Sequence, residues 1–139
     1  MRLKGRTAEA TLQVDPAGTA ETFQTPEAGL PAVLPISRLI ALMESAAARL
    51  MSSALRDGES SVAQEMNLTH AASKGVHGAV RAVAAYRGVA GRVHRFTVHA
   101  FDESGLIASA EHTRVIVVEQ RTEGLARRRA GRRAMQLAV

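Results

Sequence analysis

The 139-residue chain contains no cysteine and no tryptophan. Disulfides, thiolate metal sites and thiol nucleophiles are therefore excluded from its chemistry. Aromatic residues make up 3% of the chain (Phe23, Phe96, Phe101 and Tyr86), too few for a base-stacking platform. No apolar run approaches the roughly 20 residues needed to span a bilayer. Proline is scarce, and three of the four (Pro26, Pro31, Pro35) fall close together. The first ten residues, MRLKGRTAEA, lack the apolar core of a signal peptide, which predicts a cytoplasmic chain.

What is present suits a single domain: 46% hydrophobic and 22% charged residues in a length able to bury a core. Lys and Arg number 18 against 13 Asp and Glu, a formal charge of +5. That excess is local. Residues 1–120 carry twelve basic and twelve acidic side chains, whereas residues 121–139 carry six arginines against Glu123. The division predicts one domain over 1–120 and a basic, helical extension over 121–139. An arginine run invites a nucleic-acid reading, but the neutral body and missing aromatics argue against a dedicated site. With Leu125, Met135 and Leu137 along it, the tail reads better as a solvated or dimer-covering helix.

Along the chain, Thr7 to Val14 has strand character and Asp15-Pro16-Ala17-Gly18 closes it as a turn. Residues 19–36 have no sustained period and read as irregular. A helix of about 18 residues is expected from Ser37, its N-cap, to Leu55, where Asp57-Gly58 stops it. The pattern then changes to period two. Ser61–Thr69 alternates Val62, Gln64, Met66 and Leu68 with polar neighbours. Further strands are expected over Ala79–Arg87, Arg92–Asp102 and Leu106–Glu119, with a turn over Gly88–Gly91 and a tight hairpin at Glu103-Ser104-Gly105. The expected layout is α+β: a strand, a long central helix, then four strands in an antiparallel meander, making a curved sheet of about five strands around the helix.

One acid stands out in the helix. Glu44 is the only charge between Arg38 and Arg49, and Ile40, Ala47 and Ala48 lie three or four residues from it, with Met51 seven residues on. A carboxylate on such a face is desolvated, a setting that raises its pKa and suits a general base or nucleophile. The plain alternative is a Glu at the helix edge, solvated or paired with an Arg. His70 is the second candidate, because it ends a strand where the chain leaves the sheet for a loop. His77, His94, His99 and His112 read as ordinary hydrogen-bonded histidines. Their spacings match no metal-ligand pattern, and no phosphate-binding glycine loop or serine-nucleophile motif is present.

Three stretches, taken together, resemble a known family. They are Val33 to Ala47 with its Leu42-Met43-Glu44 core, Met66-Asn67-Leu68-Thr69-His70, and Ala100-Phe101-Asp102-Glu103-Ser104-Gly105-Leu106-Ile107-Ala108 followed by His112-Thr113-Arg114. In order and spacing they are similar to hotdog-fold thioesterases related to fluoroacetyl-CoA thioesterase. The resemblance covers roughly residues 30–120. It implies a hotdog fold, a homodimer or dimer of dimers with active sites at the subunit interface, and hydrolysis of acyl-CoA thioesters with no metal or other cofactor. The family's catalytic Glu falls on Glu44 and its catalytic His on His70. Arg114 falls on an arginine near the acyl or CoA site. Ser37, Ala63, Gln64 and Arg114 are the expected substrate-binding residues.

The chain departs from the family at several positions. The family's catalytic Thr, eight residues before the Glu, is replaced by Ile36, which has no hydroxyl. Its strand Gly, whose N–H lies near the thioester, is Ala63. Its Pro-Pro-Gly turn after the His is replaced by Lys74-Gly75-Val76-His77-Gly78. The pocket-shaping Phe residues are missing from Gly29-Leu30-Pro31-Ala32-Val33-Leu34, so fluoroacetyl specificity does not carry over. The expected function is acyl-CoA thioester hydrolysis. The alternative is a hotdog protein that binds acyl-CoA without cleaving it.

Overall fold

The computed structural model describes residues 3–14, 33–75 and 77–137, with side chains through Ala134. The expected Asp15–Gly18 turn, the irregular segment up to residue 32, Val76 and the side chains of Met135 and Leu137 lie outside the described residues. The chain runs β1 (Thr7–Gln13), α1 (Ile36–Met51), one 3-10 turn (Ser52–Ala54), β2 (Glu59–His70), β3 (Ala79–Ala90), β4 (Val93–Asp102), β5 (Gly105–Val118) and α2 (Glu119–Leu137).

Helix α1 is rich in Ala, Leu and Met, which lose little side-chain freedom in a helix. Its apolar residues recur at three and four positions, so Leu39, Leu42, Met43, Ala46, Ala47, Leu50 and Met51 are all buried on one face. Sixteen residues are α-helical, fewer than expected, because the backbone tightens at Ser52 into the 3-10 turn. The N-cap is Pro35, not Ser37. Pro35 is extended (φ −73, ψ 151), and its carbonyl accepts the amides of Arg38 and Leu39. With proline's φ already set, the helix begins at Ile36 and Ser37 sits inside the first turn, exposed.

Five antiparallel strands form one sheet in the order β1-β3-β4-β5-β2. The four-strand meander expected after the helix is therefore wrong in one connection. Strands β3, β4 and β5 are consecutive neighbours, but β2 pairs with β5 at the far edge instead of with β3. Period-two alternation sets which face a residue occupies and carries no information on the neighbouring strand. The crossover from β2 to β3 instead passes the tip of the β4–β5 hairpin. The amides of Ala71 and Ala72 donate to the Ile107 carbonyl, and Lys74 Nζ donates to Glu103 Oε1 at 2.7 Å. Lys74 is buried, and this ion pair holds the Glu103 carboxyl below the usual carboxylate range.

The turn expected over Gly88–Gly91 is smaller. Strand β3 continues through Ala90, and the register shift at Tyr86/Gly88 uses the positive φ of Gly88 (135) to make a bulge. Further shifts at Ala63/Glu65 and Ala100/Phe101 add local twist, and the sheet curls into a half-barrel. Helix α1 lies on the inside of the curl, where Val80, Ala82, Ala84, Val98, Ala100 and Ala108 are fully buried. Small side chains let helix and sheet approach closely, while Phe96, Met43, Met51 and Leu39 fill the volume between them.

Gly78 ends the crossover with φ +90, and its carbonyl accepts the Val14 amide. A Cβ there would stand 3.0 Å from both Glu103 Oε2 and Lys74 Nζ. Gly78→Ala is expected to cost about 1–3 kcal/mol through backbone strain and displacement of the ion pair. Gly75→Ala, with no positive φ and nothing within 4 Å of the added carbon, is the matched control. Thermal melts of both variants check this; equal melting temperatures would refute the assignment.

Candidate functional site

The inner surface of the sheet beside α1 carries the polar residues that matter. Along β5 every second residue faces the helix, so Ala108, Ala110, His112 and Arg114 are all buried. Arg114 is only 6% exposed, yet its guanidinium is well partnered. Nε donates to Ser61 Oγ at 2.9 Å, Nη2 donates to the Ser61 carbonyl at 2.8 Å, and Nη1 lies 3.2 Å from His112 Nε2. The other imidazole nitrogen, Nδ1, stands 2.7 Å from the Glu65 carbonyl. A carbonyl only accepts, so Nδ1 carries the proton and Nε2 accepts from Arg114.

This network brackets an irregularity in β2. Ala63 opposes Arg114, Glu65 opposes Thr113, and Gln64 is the extra residue between them. Arg114 holds the backbone before the bulge at Ser61, and His112 holds it after the bulge at Glu65. The bulge also changes which residues face inward. Beyond it Met66, Leu68 and His70 oppose His112, Ala110 and Ala108 and share the helix-facing side, whereas Val62 and Gln64 are exposed. The single alternating face expected for Val62, Gln64, Met66 and Leu68 is thus broken at Gln64.

Glu44 stands on the flank of α1 nearest this network. Ile40, Glu44 and Ala48 form a half-buried ridge, with exposed Ile36 one turn earlier. The opposite flank meets β1, where Arg49 Nη1 donates to the Glu9 carbonyl at 2.9 Å. The Glu44 charge acts on both His112 and Arg114, but its carboxylate makes no hydrogen bond or ion pair among the described residues. A carboxylate left unbonded beside a buried cation is available to a substrate or a water molecule.

The other expected residues are distributed differently. His70 is exposed at the end of β2, with no hydrogen-bond partner among the described residues. Ala63 and Gln64 are exposed at the bulge, and Ser37 is exposed in the first turn of α1. Along β2, His70 lies seven positions beyond Ala63, the residue opposite Arg114, about 20 Å of strand. Two members of the cluster, Ser61 and His112, were not singled out from the sequence. The two-residue spacing of His112 and Arg114 was the available signal, since neighbours two apart on a strand share a face. Among the described residues no group of His, Asp and Glu is arranged to hold a metal ion, and no helix is long and apolar enough to cross a membrane.

Burial pushes the His112 pKa below the ordinary histidine value of 6.5, helped by the Arg114 charge and opposed by the Glu65 carbonyl and Glu44. His94, hydrogen-bonded to Tyr86 at 2.7 Å, is lowered by burial as well. Below about pH 6.5 the unfolded chain binds protons at these positions that the native state does not. Their contribution to stability is complete above that pH and is lost as pH falls toward the depressed native values. Melting temperature is expected to fall from pH 6.5 to 5, with a shallower slope in His112→Gln. Identical slopes for the two proteins would sink this assignment.

With the geometry established, comparisons with known proteins give a consistent answer. The model of a family described as fluoroacetyl-CoA-specific thioesterase matches residues 14–120. Fluoroacetyl-CoA thioesterase itself is similar in structure, with a TM-score of 0.85 at 29% identity over 92% of this chain and 96% of its own. A variant of that enzyme with fluoroacetate and CoA matches with a TM-score of 0.81 at 30% identity, over 88% of this chain and 99% of its own. A thioesterase-superfamily member from Thermus thermophilus has a TM-score of 0.86 at 26% identity, over 95% and 96% of the two chains. No curated protein sequence matches. The half-barrel with its inner helix is the hotdog fold, as the resemblance implied. Sequence match and fold agree over most of the chain, and the protein belongs to the fluoroacetyl-CoA-specific thioesterase family of thioester hydrolases.

Proposed function

We propose that the protein hydrolyses an acyl-CoA thioester to a carboxylic acid and free CoA, with Glu44 as the nucleophile or as the base that activates water. The observation that carries this reading is the unbonded Glu44 carboxylate beside the buried Arg114–His112 network. Water deprotonated by Glu44 adds to the thioester carbonyl, or Glu44 adds itself and water then cleaves the resulting anhydride to release the acid and free Glu44. In either case the C–S bond breaks and the departing thiolate takes a proton from His70. Backbone N–H groups at the β2 bulge, near Ala63 and Gln64, and at the start of α1, near Ser37, stabilise the oxyanion. Arg114 keeps the bulge in place and sets a positive field beside the developing charge.

His70 reaches this site from a second copy of the chain. Strand β2 has a free edge twelve residues long, a natural seat for another strand. An antiparallel β2–β2 pairing centred between Met66 and Asn67 sets Ala63 opposite His70 of the other copy. The bulge at Gln64 puts both on the helix-facing side. Each homodimer then has two composite sites, and a dimer of dimers is compatible with the same pairing. Residues 1–120 make the catalytic unit, and residues 121–139 are a basic appendage to it.

A second reading has one observation in its favour. Ile36, 47% exposed at the first position of α1, stands where the family commonly has a catalytic Thr. A protein without that hydroxyl can bind acyl-CoA as a sensor or carrier. Screening acyl-CoAs of increasing chain length for thiol release, with Glu44→Gln as control, decides between the two. Calorimetric binding without thiol release would replace the hydrolytic reading by the second.

A further inference from the structure

The sheet end below the Arg114 network holds a second cluster of positive charge that the proposed chemistry leaves unused. A cleft of about 430 Å³ is lined by Ala54, Arg56, Glu59, Arg92, His94 and Ile116. It adjoins the Glu44 site through the ladder. His94 directly opposes Arg114, and Ile116 lies two residues beyond Arg114 on the same face. Arg56 and Arg92 are exposed, and neither guanidinium makes a hydrogen bond or ion pair among the described residues. Glu59 lines the same cleft and keeps its negative charge, with one oxygen accepting the Arg56 amide at 2.8 Å, so it offsets one of the two guanidinium charges without pairing with either. Burial lowers the His94 pKa, and its Nδ1 is hydrogen-bonded to the Tyr86 hydroxyl at 2.7 Å.

Two unpaired guanidinium groups around one cleft, with the His94 imidazole in its wall, make a site for a multiply charged, oxygen-rich anion. Glu59 and the C-terminus of α1 oppose an anion here, with one full and one fractional negative charge against two full positive ones, and the cleft keeps a net positive charge. We infer that this cleft receives the phosphate groups of the CoA nucleotide, with Arg56 and Arg92 as the anchoring cations. This assignment rests on the acyl-CoA reading above. It fixes the direction of the substrate: the acyl group lies by Glu44 and the Ala63 bulge, and the pantetheine arm passes His94 and Ile116. The nucleotide emerges at the sheet end where α2 begins, a helix tied to β2 by Glu119, whose amide donates to Gly58 and whose carboxylate accepts from Ser60.

The test compares the full chain with Arg56→Gln/Arg92→Gln, using an acyl-CoA and the acyl-pantetheine of the same acyl group, which lacks the nucleotide phosphates. The expected result is a rise in KM for acyl-CoA of at least about tenfold, with kcat unchanged and KM for acyl-pantetheine unaltered. Equal changes for both substrates, or none for either, would overturn the assignment. Calorimetry with free CoA gives a readout independent of hydrolysis. Binding by the parent protein weakened by the same factor in the variant supports the subsite even if no acyl-CoA is cleaved. No binding of CoA by the parent protein overturns it. A third protein, with Arg127, Arg128, Arg129, Arg132 and Arg133 all changed to Gln, separates the cleft from the tail. It is expected to bind CoA like the parent, and a loss confined to it would move the anion site to α2. Retention of duplex DNA by the parent and its loss in this variant, with CoA binding unaffected in Arg56→Gln/Arg92→Gln, would replace the proposal by polyanion binding on the tail.

Discussion

Glu44→Gln is expected to lower kcat for acyl-CoA hydrolysis by about 10³-fold or more, while KM and melting temperature stay close to the parent values. A positioned base or nucleophile is worth factors of this size, and the amide keeps the shape while removing the electron pair that reacts. Stability is spared for a structural reason. The Glu44 carboxylate is half-buried and makes no hydrogen bond among the described residues, so its loss orphans no partner. The charge it places near Arg114 and His112 is lost, but Arg114 keeps its bonds to Ser61 and His112. Thiol release and a thermal melt on the same preparation check both halves. Full activity in Glu44→Gln would remove Glu44 from the mechanism, and a collapsed melt would assign it a structural role.

The second large effect concerns the shared site. Glu44→Gln and His70→Ala are each expected to be nearly inactive alone. Mixed under conditions that allow subunit exchange, they should recover activity toward about one quarter of the parent value. Random exchange makes half of the dimers mixed, and each mixed dimer has one intact site and one doubly altered site. This outcome follows from the roughly 20 Å of strand between Ala63 and His70 in one chain. If both residues acted within a single subunit, every site in the mixture would lack one of them and no activity would return. Recovery therefore tests the β2–β2 pairing more directly than an oligomeric mass does.

The parts of the protein visible in its sequence were those set by local chemistry. The apolar period of Leu39, Leu42, Met43, Ala46, Leu50 and Met51 specifies a helix with one buried face. The Glu103-Ser104-Gly105 turn, the alternating β5 residues and the confinement of excess charge beyond residue 120 are local in the same sense. The motif resemblance at Glu44, His70 and Arg114 led to the family that the comparisons then established. Two local readings failed because a backbone preference outweighed a side-chain one. Proline's set φ displaced Ser37 as the helix cap, and the bulge at Gln64 interrupted the alternation of β2.

Only the tertiary structure decided how these elements meet. Pairing of β2 with β5 depends on contacts some fifty residues apart in the chain, which no local period encodes. That pairing puts Ser61 against Arg114 and Glu65 against His112, turning two apparently unrelated side chains into a clamp on the bulge. It also leaves β2, with His70 at its end, as an edge strand of the sheet. The sequence by itself determined a thioesterase-type helix and sheet, with Glu44 as the one carboxylate on the apolar helix. The position of that carboxylate beside a buried cation arose when the distant strands β2 and β5 closed on each other, because electrostatic neighbours are set by three-dimensional distance and not by separation along the chain.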